Sequence, residues 1–378
     1  MIKFIFIIKI LIEKLIRLNL SFLKREISGY PKIVKKFEKD FAKFIGKQYG
    51  LTFCNGTSAI ESAIYALNLS AGDEILTTSS NFHASLGPIK NLGYNIVFVD
   101  IDENTFTIDC SDLEKKINNK TKALLIVHPW GYPCDIEKII EIVKKNNLKL
   151  IEDCSHAQGA IYNKKKVGSF ADISCFSLQG AKAIKAGEGG IALTDSESYY
   201  LKMSMYGHFN RHEKELEKNI SLKKFKYTGL SRKLRAHPLG ISMAYVDFKN
   251  IETLNKYKNE IYNKIEEIFK NYNSIRLMKI NEKAERGGFF GGFPIYFRNT
   301  ENISEIKKIF QKLKINLIKY PWHLHHQMDI FTNNQSELSI TEKMIDHFYM
   351  IKIPYFLNFN FINLEKCLVE CKDKKFIE

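Results

Sequence analysis

From residue 51 to residue 194, short apolar runs bounded by turn residues alternate with longer stretches whose apolar positions recur at helical spacing. The runs at residues 51–54, 74–78, 95–99, 123–127, 148–151, 173–176 and 191–194 read as strands, and residues 31–44 and 136–146 read as helices. Another helix is expected after Asn55-Gly56-Thr57-Ser58, where Ala59, Ile60, Ala63, Ile64 and Leu67 share one face and Asn55, Thr57 or Ser58 supplies the cap. Strands alternating with helices predict an α/β domain with a mostly parallel sheet. Beyond Asp247 the pattern changes to a long helix at 251–272, a glycine-rich strand candidate at 287–297 and a helix at 303–313. The expected division is an N-terminal helix at 1–26, a large domain at 27–247 and a smaller C-terminal α+β domain at 248–378.

Residues 1–25 are rich in Ile, Leu and Phe but interrupted by Lys3, Lys9, Glu13, Lys14 and Arg17. Those charges argue against a membrane span, which needs ~20 apolar residues, and no small-residue cleavage site follows. At ~100° per residue Phe4, Ile5, Ile8, Leu11, Ile12, Leu15 and Ile16 fall on one arc and Lys9, Glu13, Lys14 and Arg17 on another, with Phe6 and Ile10 intruding on the second. An imperfect amphipathic helix is expected, its apolar face meeting either lipid headgroups or a partner subunit.

Composition narrows the function classes. The chain has 378 residues, 45% hydrophobic and 12% aromatic, as a folded enzyme or binding protein would have. Its formal charge of +15 suits nucleic acid, an anionic membrane surface or anionic small substrates. No zinc-finger spacing, ribonucleoprotein-type aromatic motif or purely basic block is present, so nucleic acid is not an expected partner. Seven cysteines are scattered singly except for Cys367 and Cys371, a helical turn apart without companion ligands, so no metal site is expected and a reduced, cytoplasmic protein is.

In open α/β sheets ligands sit at the carboxyl ends of strands. The polar residues just past those ends are Asn81-Phe82-His83, His128-Pro129-Trp130-Gly131, Glu152-Asp153-Cys154-Ser155-His156, and Ser177 with Lys182. Lys182 lies in a loop that ends Gly187-Glu188-Gly189-Gly190, where backbone can approach a ligand closely, and a Schiff-base role fits it. Gly56 at a helix N-terminus is a natural phosphate seat. A nearly buried Asp153 needs a cationic partner. Phosphate seat, stacking aromatic, carboxylate and lysine together fit pyridoxal 5'-phosphate, whose ring nitrogen a carboxylate keeps protonated. His128 and Trp130 are read as packing or pocket wall, and Lys185 as a solvated loop charge.

These residues resemble the DegT/StrS family of pyridoxal-phosphate-dependent sugar aminotransferases from about residue 27 to about residue 254. The resemblance rests on Ser28-Gly29-Tyr30-Pro31, Asn55-Gly56-Thr57-Ser58, Val97-Phe98-Val99-Asp100, Glu152-Asp153-Cys154-Ser155-His156-Ala157, Val167-Gly168-Ser169-Phe170, the lysine loop, and Arg235-Ala236-His237-Pro238. It implies the aspartate-aminotransferase fold, a homodimer with active sites at the interface, and transfer of an amino group from glutamate to a keto sugar or sugar nucleotide. Under it Lys182 is the Schiff-base lysine, Asp153 pairs with the pyridine nitrogen, Phe82 stacks on the ring and His156 sits near the ring hydroxyl. Gly56, Thr57, Ser58 and Ser177 hold the phosphate. Lys233 stands where the family often has an Asn that reaches the neighbouring subunit's phosphate, two residues before Arg235. Two alternatives stay open: a sugar dehydratase, whose relatives carry histidine in place of Lys182, and a non-catalytic membrane-surface binder of the same fold, peripheral at the inner membrane face through residues 1–25.

Overall fold

The computed structural model describes residues 2–287, 292–320, 323–331, 337–354 and 358–378. In chain order its elements begin with α1 (Ile2–Leu23), α2 (Lys32–Ile45), β1 (Tyr49–Phe53), α3 (Gly56–Leu67), β2 (Glu74–Thr78), α4 (His83–Asn91), β3 (Asn95–Val99), α5 (Cys110–Lys116), β4 (Thr121–Val127), α6 (Ile136–Lys145) and β5 (Lys149–Asp153). A small hairpin, β6 (Ile161–Tyr162) and β7 (Lys165–Lys166), precedes β8 (Ile173–Ser177), β9 (Gly190–Thr194), α7 (Glu197–Gly207), α8 (Glu213–Lys218), α9 (Pro238–Lys249) and α10 (Ile251–Phe269). The remainder holds β10 (Ile275–Arg276), β11 (Ala284–Glu285), β12 (Phe293–Phe297), α11 (Ile303–Lys312), β13 (Leu317–Lys319), α12 (Ser339–Ile345), β14 (Phe348–Ile351) and α13 (Phe361–Asp373).

The apolar runs pair into one sheet of seven strands in the order β1-β9-β8-β5-β4-β2-β3. Neighbours from β8 through β5, β4 and β2 to β3 are parallel, and β9 runs antiparallel to both β8 and β1. Helices cover both faces, which is why the central strands carry apolar runs such as residues 123–127 of β4 rather than an alternating pattern. Phe176 of β8, fully buried, meets Phe41 of α2 edge-on with centroids 5.0 Å apart, and a fully buried aromatic of this kind contributes on the order of 2–3 kcal/mol. Strand β5 runs two residues past the expected end at 151, because Glu152 and Asp153 pair in register with Ser174 and Cys175 of β8.

A second, antiparallel sheet of order β10-β12-β14-β13 packs with α10, α11 and α13 around its own apolar cluster. Part of the strand candidate at 287–297 is β12, and its residues 288–291 lie outside the described residues. The Asp100 carboxylate at the end of β3 accepts from Ile340 N–H (2.9 Å), Thr341 N–H (2.8 Å) and the Thr341 hydroxyl (2.6 Å), tying the start of α12 to the first sheet. Beside it Trp130 stacks on Phe348 at 4.9 Å.

Helix α1 packs the other way round from a simple amphipathic reading. Ile7, Ile10, Lys14 and Ser21 are its buried residues, the first two joining the cluster built around α10. Lys14 Nζ donates to Asp247 Oδ2 of α9 at 2.6 Å and Ser21 meets Ser242 at 3.0 Å, so polar contacts hold the inner side and the apolar arc faces out. Among the described residues no helix is long and apolar enough to cross a membrane.

Candidate active site

The carboxyl ends of β4, β5 and β8, the turn after β2 and the N-terminus of α3 open on one cavity of about 430 Å³. Gly56, Thr57, Phe82, Asp153, His156, Ser177 and Lys182 line it, together with Ser85, Gln179 and Glu188, which the sequence pattern does not single out. Parallel strands leave their carboxyl ends on one edge, so residues far apart in sequence converge there.

The lysine loop is pinched at its base. Leu178 N–H donates to Gly189 O (2.8 Å), Gly180 N–H to Gly187 O (2.8 Å) and Ala186 N–H to Leu178 O (2.7 Å). Gly187 takes φ +83°, a left-handed conformation that a side chain would strain. Gln158 clamps the loop from below, its Nε2 donating to Ser177 O and its Oε1 accepting from Ile184 N–H, both at 2.7 Å. Lys182 is thereby held inside the cavity wall at 7% exposure. Burial pushes its amine down to about 7, with the Asp153 charge pulling the other way, so a large share is neutral and nucleophilic near neutral pH.

Lys185 departs from the solvated charge expected of it. Its N–H donates to Asp247 Oδ2 at 3.0 Å, and burial, partly offset by Asp247, lowers its amine, with Lys14 adding to the lowering. It faces the α1 and α9 side of the loop, and it does not line the cavity.

Asp153 is 4% exposed with both oxygens engaged: Oδ2 accepts from the Ser85 hydroxyl at 2.7 Å and Oδ1 from Ser155 N–H at 3.0 Å. These donors fix the carboxylate in one orientation at the cavity floor. His156 Nδ1 accepts from Trp130 N–H at 3.4 Å, so the neutral ring carries its proton on Nε2. Burial first, then the nearby Lys182, hold this imidazole well below its ordinary value, which keeps it neutral. Phe82 precedes α4 and presents a half-exposed ring to the cavity.

Close backbone approach makes two glycines necessary. A Cβ on Gly56 would lie 2.9 Å from Ser177 Cβ, and one on Gly190 would lie 2.3 Å from Asn55 O. The first turn of α3 therefore sits directly against the ends of β8 and β9, bringing helix N–H groups and the Ser177 side chain to one corner. Ser58 lies beside this corner rather than in the cavity lining. Its N–H donates to Asn55 Oδ1 at 2.8 Å and its hydroxyl lies 3.3 Å from Cys54 Sγ, so it serves the helix cap and is not part of the cavity lining. Lys233 is exposed, its backbone bridged to His208, and stands outside the cavity of its own chain.

His128 and Trp130 are buried supports. His128 Nδ1 accepts from Cys134 N–H (3.0 Å), and its Nε2 meets Glu152 Oε1 (3.3 Å). Glu152 also accepts from Gly168, Phe170 and Ala171 N–H at 2.9–3.1 Å. His128, Glu152 and Cys154 lie close enough to share an ion, yet the ring and carboxylate are committed to protein hydrogen bonds that fasten the 168–171 turn beneath β5.

Comparison with known proteins agrees with this geometry. A family model described as the DegT/DnrJ/EryC1/StrS aminotransferase family matches residues 21–360. A GDP-perosamine synthase of Escherichia coli O157:H7 is 45% identical over 174 residues, 46% of this chain and 48% of that protein. A dTDP-3-amino-3,6-dideoxy-alpha-D-galactopyranose transaminase of Aneurinibacillus thermoaerophilus is 36% identical over 220 residues, 57% of this chain and 59% of that protein. The chain thus spans about half the length of the curated relatives it matches. An aminotransferase structure from Psychrobacter cryohalolentis superposes with a TM-score of 0.84 at 21% identity, covering 96% of this chain and 97% of that one, and establishes the fold.

Proposed function

The chain belongs to the DegT/DnrJ/EryC1/StrS aminotransferase family, and from that premise we propose that it is a pyridoxal-phosphate-dependent aminotransferase that moves an amino group from glutamate to a nucleotide-linked keto sugar. Relatives whose names specify a GDP- or dTDP-linked amino sugar support the substrate class. The observation that carries the reading is the placement of a neutral-leaning Lys182 amine opposite a doubly anchored Asp153 in one cavity.

The residues fit the cofactor on their own geometry. The corner of Gly56, Thr57 and Ser177, too tight for a side chain on Gly56, suits a phosphate at a helix N-terminus. Asp153, buried with two hydrogen-bond donors and with the Lys182 charge nearby, suits a protonated ring nitrogen. When bound, pyridoxal phosphate supplies an electron sink for the carbon bearing the amino group.

The chain's own residues do the rest. Lys182 Nζ, with a large share kept neutral by burial, would hold the cofactor covalently and serve as the base and acid that moves a proton on and off the substrate carbon. Asp153 would hold the ring nitrogen, and Ser85 and Ser155 hold Asp153. His156, with its proton on Nε2, and Phe82 line the cavity where they would help hold the cofactor's ring. The presence of Lys182 weighs against a dehydratase. Lys233, exposed and outside its own cavity, supports a homodimer in which it reaches the partner's phosphate as a point charge. The cysteine pattern supports a cytoplasmic setting.

Incubation of the cofactor-loaded protein with glutamate and a panel of keto-sugar nucleotides, followed by mass spectrometry, tests the reading. Amino sugar and 2-oxoglutarate are expected in equal amounts. Failure of every keto sugar to gain nitrogen contradicts it.

A further inference from the structure

Helix α1 carries an outward ridge of large apolar side chains. Ile5, Ile8, Ile12, Leu15 and Ile16 at its centre are 37–62% exposed. Exposed positions along the rest of the helix are also large and apolar apart from Lys9 and Asn19, and none is acidic. A helix of 22 residues rises ~33 Å, so this is a long stripe rather than scattered single residues.

The orientation is imposed by specific contacts. Lys14 is buried against Asp247 at 2.6 Å, Lys3 pairs with Glu260 at 2.8 Å and Ser21 meets Ser242 at 3.0 Å. Burying Lys14 while isoleucines face water is costly unless the ridge meets another apolar phase. Two features say which. The stripe bears Lys9 and runs into Lys24 and Arg25, all exposed, and the chain as a whole carries +15, which attracts anionic lipid headgroups. The same charge opposes pairing of two copies through this face. Spanning is excluded by the charged inner side, which is fastened to the protein body.

We propose that α1 lies in the plane of an anionic bilayer surface, its apolar ridge among the headgroups and acyl boundary, and docks the protein there as a peripheral membrane protein. The assignment rests on the geometry of α1 and is independent of the reaction at the cavity.

Sedimentation of the full-length protein with phosphatidylglycerol-containing vesicles and with phosphatidylcholine vesicles tests it, alongside the triple variant Ile5→Glu, Ile12→Glu, Ile16→Glu. All three sites are exposed, so far-ultraviolet circular dichroism and cofactor binding of the variant should match the parent. The parent is expected to bind anionic vesicles, less at high salt, and the variant to bind roughly tenfold more weakly or less. Equal binding by parent and variant, no binding by the parent, or equal parental binding to neutral vesicles overturns the proposal. So does vesicle-independent self-association of the parent that the variant abolishes, which would make a second copy the occupant.

Discussion

The Ser85 hydroxyl donates a 2.7 Å hydrogen bond to Asp153 Oδ2, joining the first turn of α4 to the end of β5 beneath the cavity. A hydrogen bond to a charged group contributes about 1.5–3 kcal/mol when buried, and here it also sets the angle at which the carboxylate meets a ligand. Ser85→Ala should lower cofactor affinity about tenfold, with Ser85→Thr recovering most of it. Equilibrium dialysis against pyridoxal phosphate measures both, and unchanged retention in Ser85→Ala would remove Ser85 from the site.

Burial lowers the Lys182 amine from 10.5 to about 7, against the pull of Asp153. The unfolded chain then holds more protons than the folded one between those values, so the penalty of burying this lysine is full below pH 7 and fades as pH rises toward 10.5. Lys182→Met should raise the stability of the cofactor-free protein by on the order of 2 kcal/mol at neutral pH, the gain shrinking with increasing pH. Thermal unfolding from pH 6 to pH 10 checks the sign; a gain that grew with pH would contradict the burial argument.

Asp247 serves three amines. It pairs with Lys14 at 2.6 Å, accepts from the Lys185 backbone at 3.0 Å, and its charge acts on Lys185 and on buried Lys258, whose amine burial pushes down to about 7. Asp247→Asn removes a counter-charge that these amines share and should cost about 3–5 kcal/mol, whereas Lys14→Met leaves Asp247 other cations and should cost less. Denaturant titration of the two variants decides the order.

Lys233→Ala should weaken cofactor retention while leaving covalent attachment at Lys182 intact, as expected for a point charge on a partner's phosphate. Retention equal to the parent's in dialysis would rule out that contact.

Much of the large sheet was legible because parallel strands covered on both faces carry uninterrupted apolar runs, as at 96–99 of β3 and 123–127 of β4. The end of β5 was missed because Glu152 and Asp153 look like loop residues until their hydrogen-bond partners are known. The cavity's lysine, aspartate and glycines carried recognisable spacing, but Ser85 is an ordinary helix hydroxyl whose partner is distant in sequence. Lys185 looked solvated for the same reason, since Asp247 reaches it only through the packing of α9. Periodicity located the two arcs of α1 and could not show the Lys14–Asp247 and Ser21–Ser242 contacts that hold its inner side to the body.

Borohydride reduction of the cofactor-loaded protein followed by peptide mapping addresses the central claim most directly, because Lys182 lines the cavity and Lys185, three residues on, faces Asp247 instead. The cofactor should be found on Lys182, Lys182→Ala should bind cofactor without covalent attachment and lose transamination, and Lys185→Ala should keep both properties. A label on Lys185, or on neither lysine, contradicts the account.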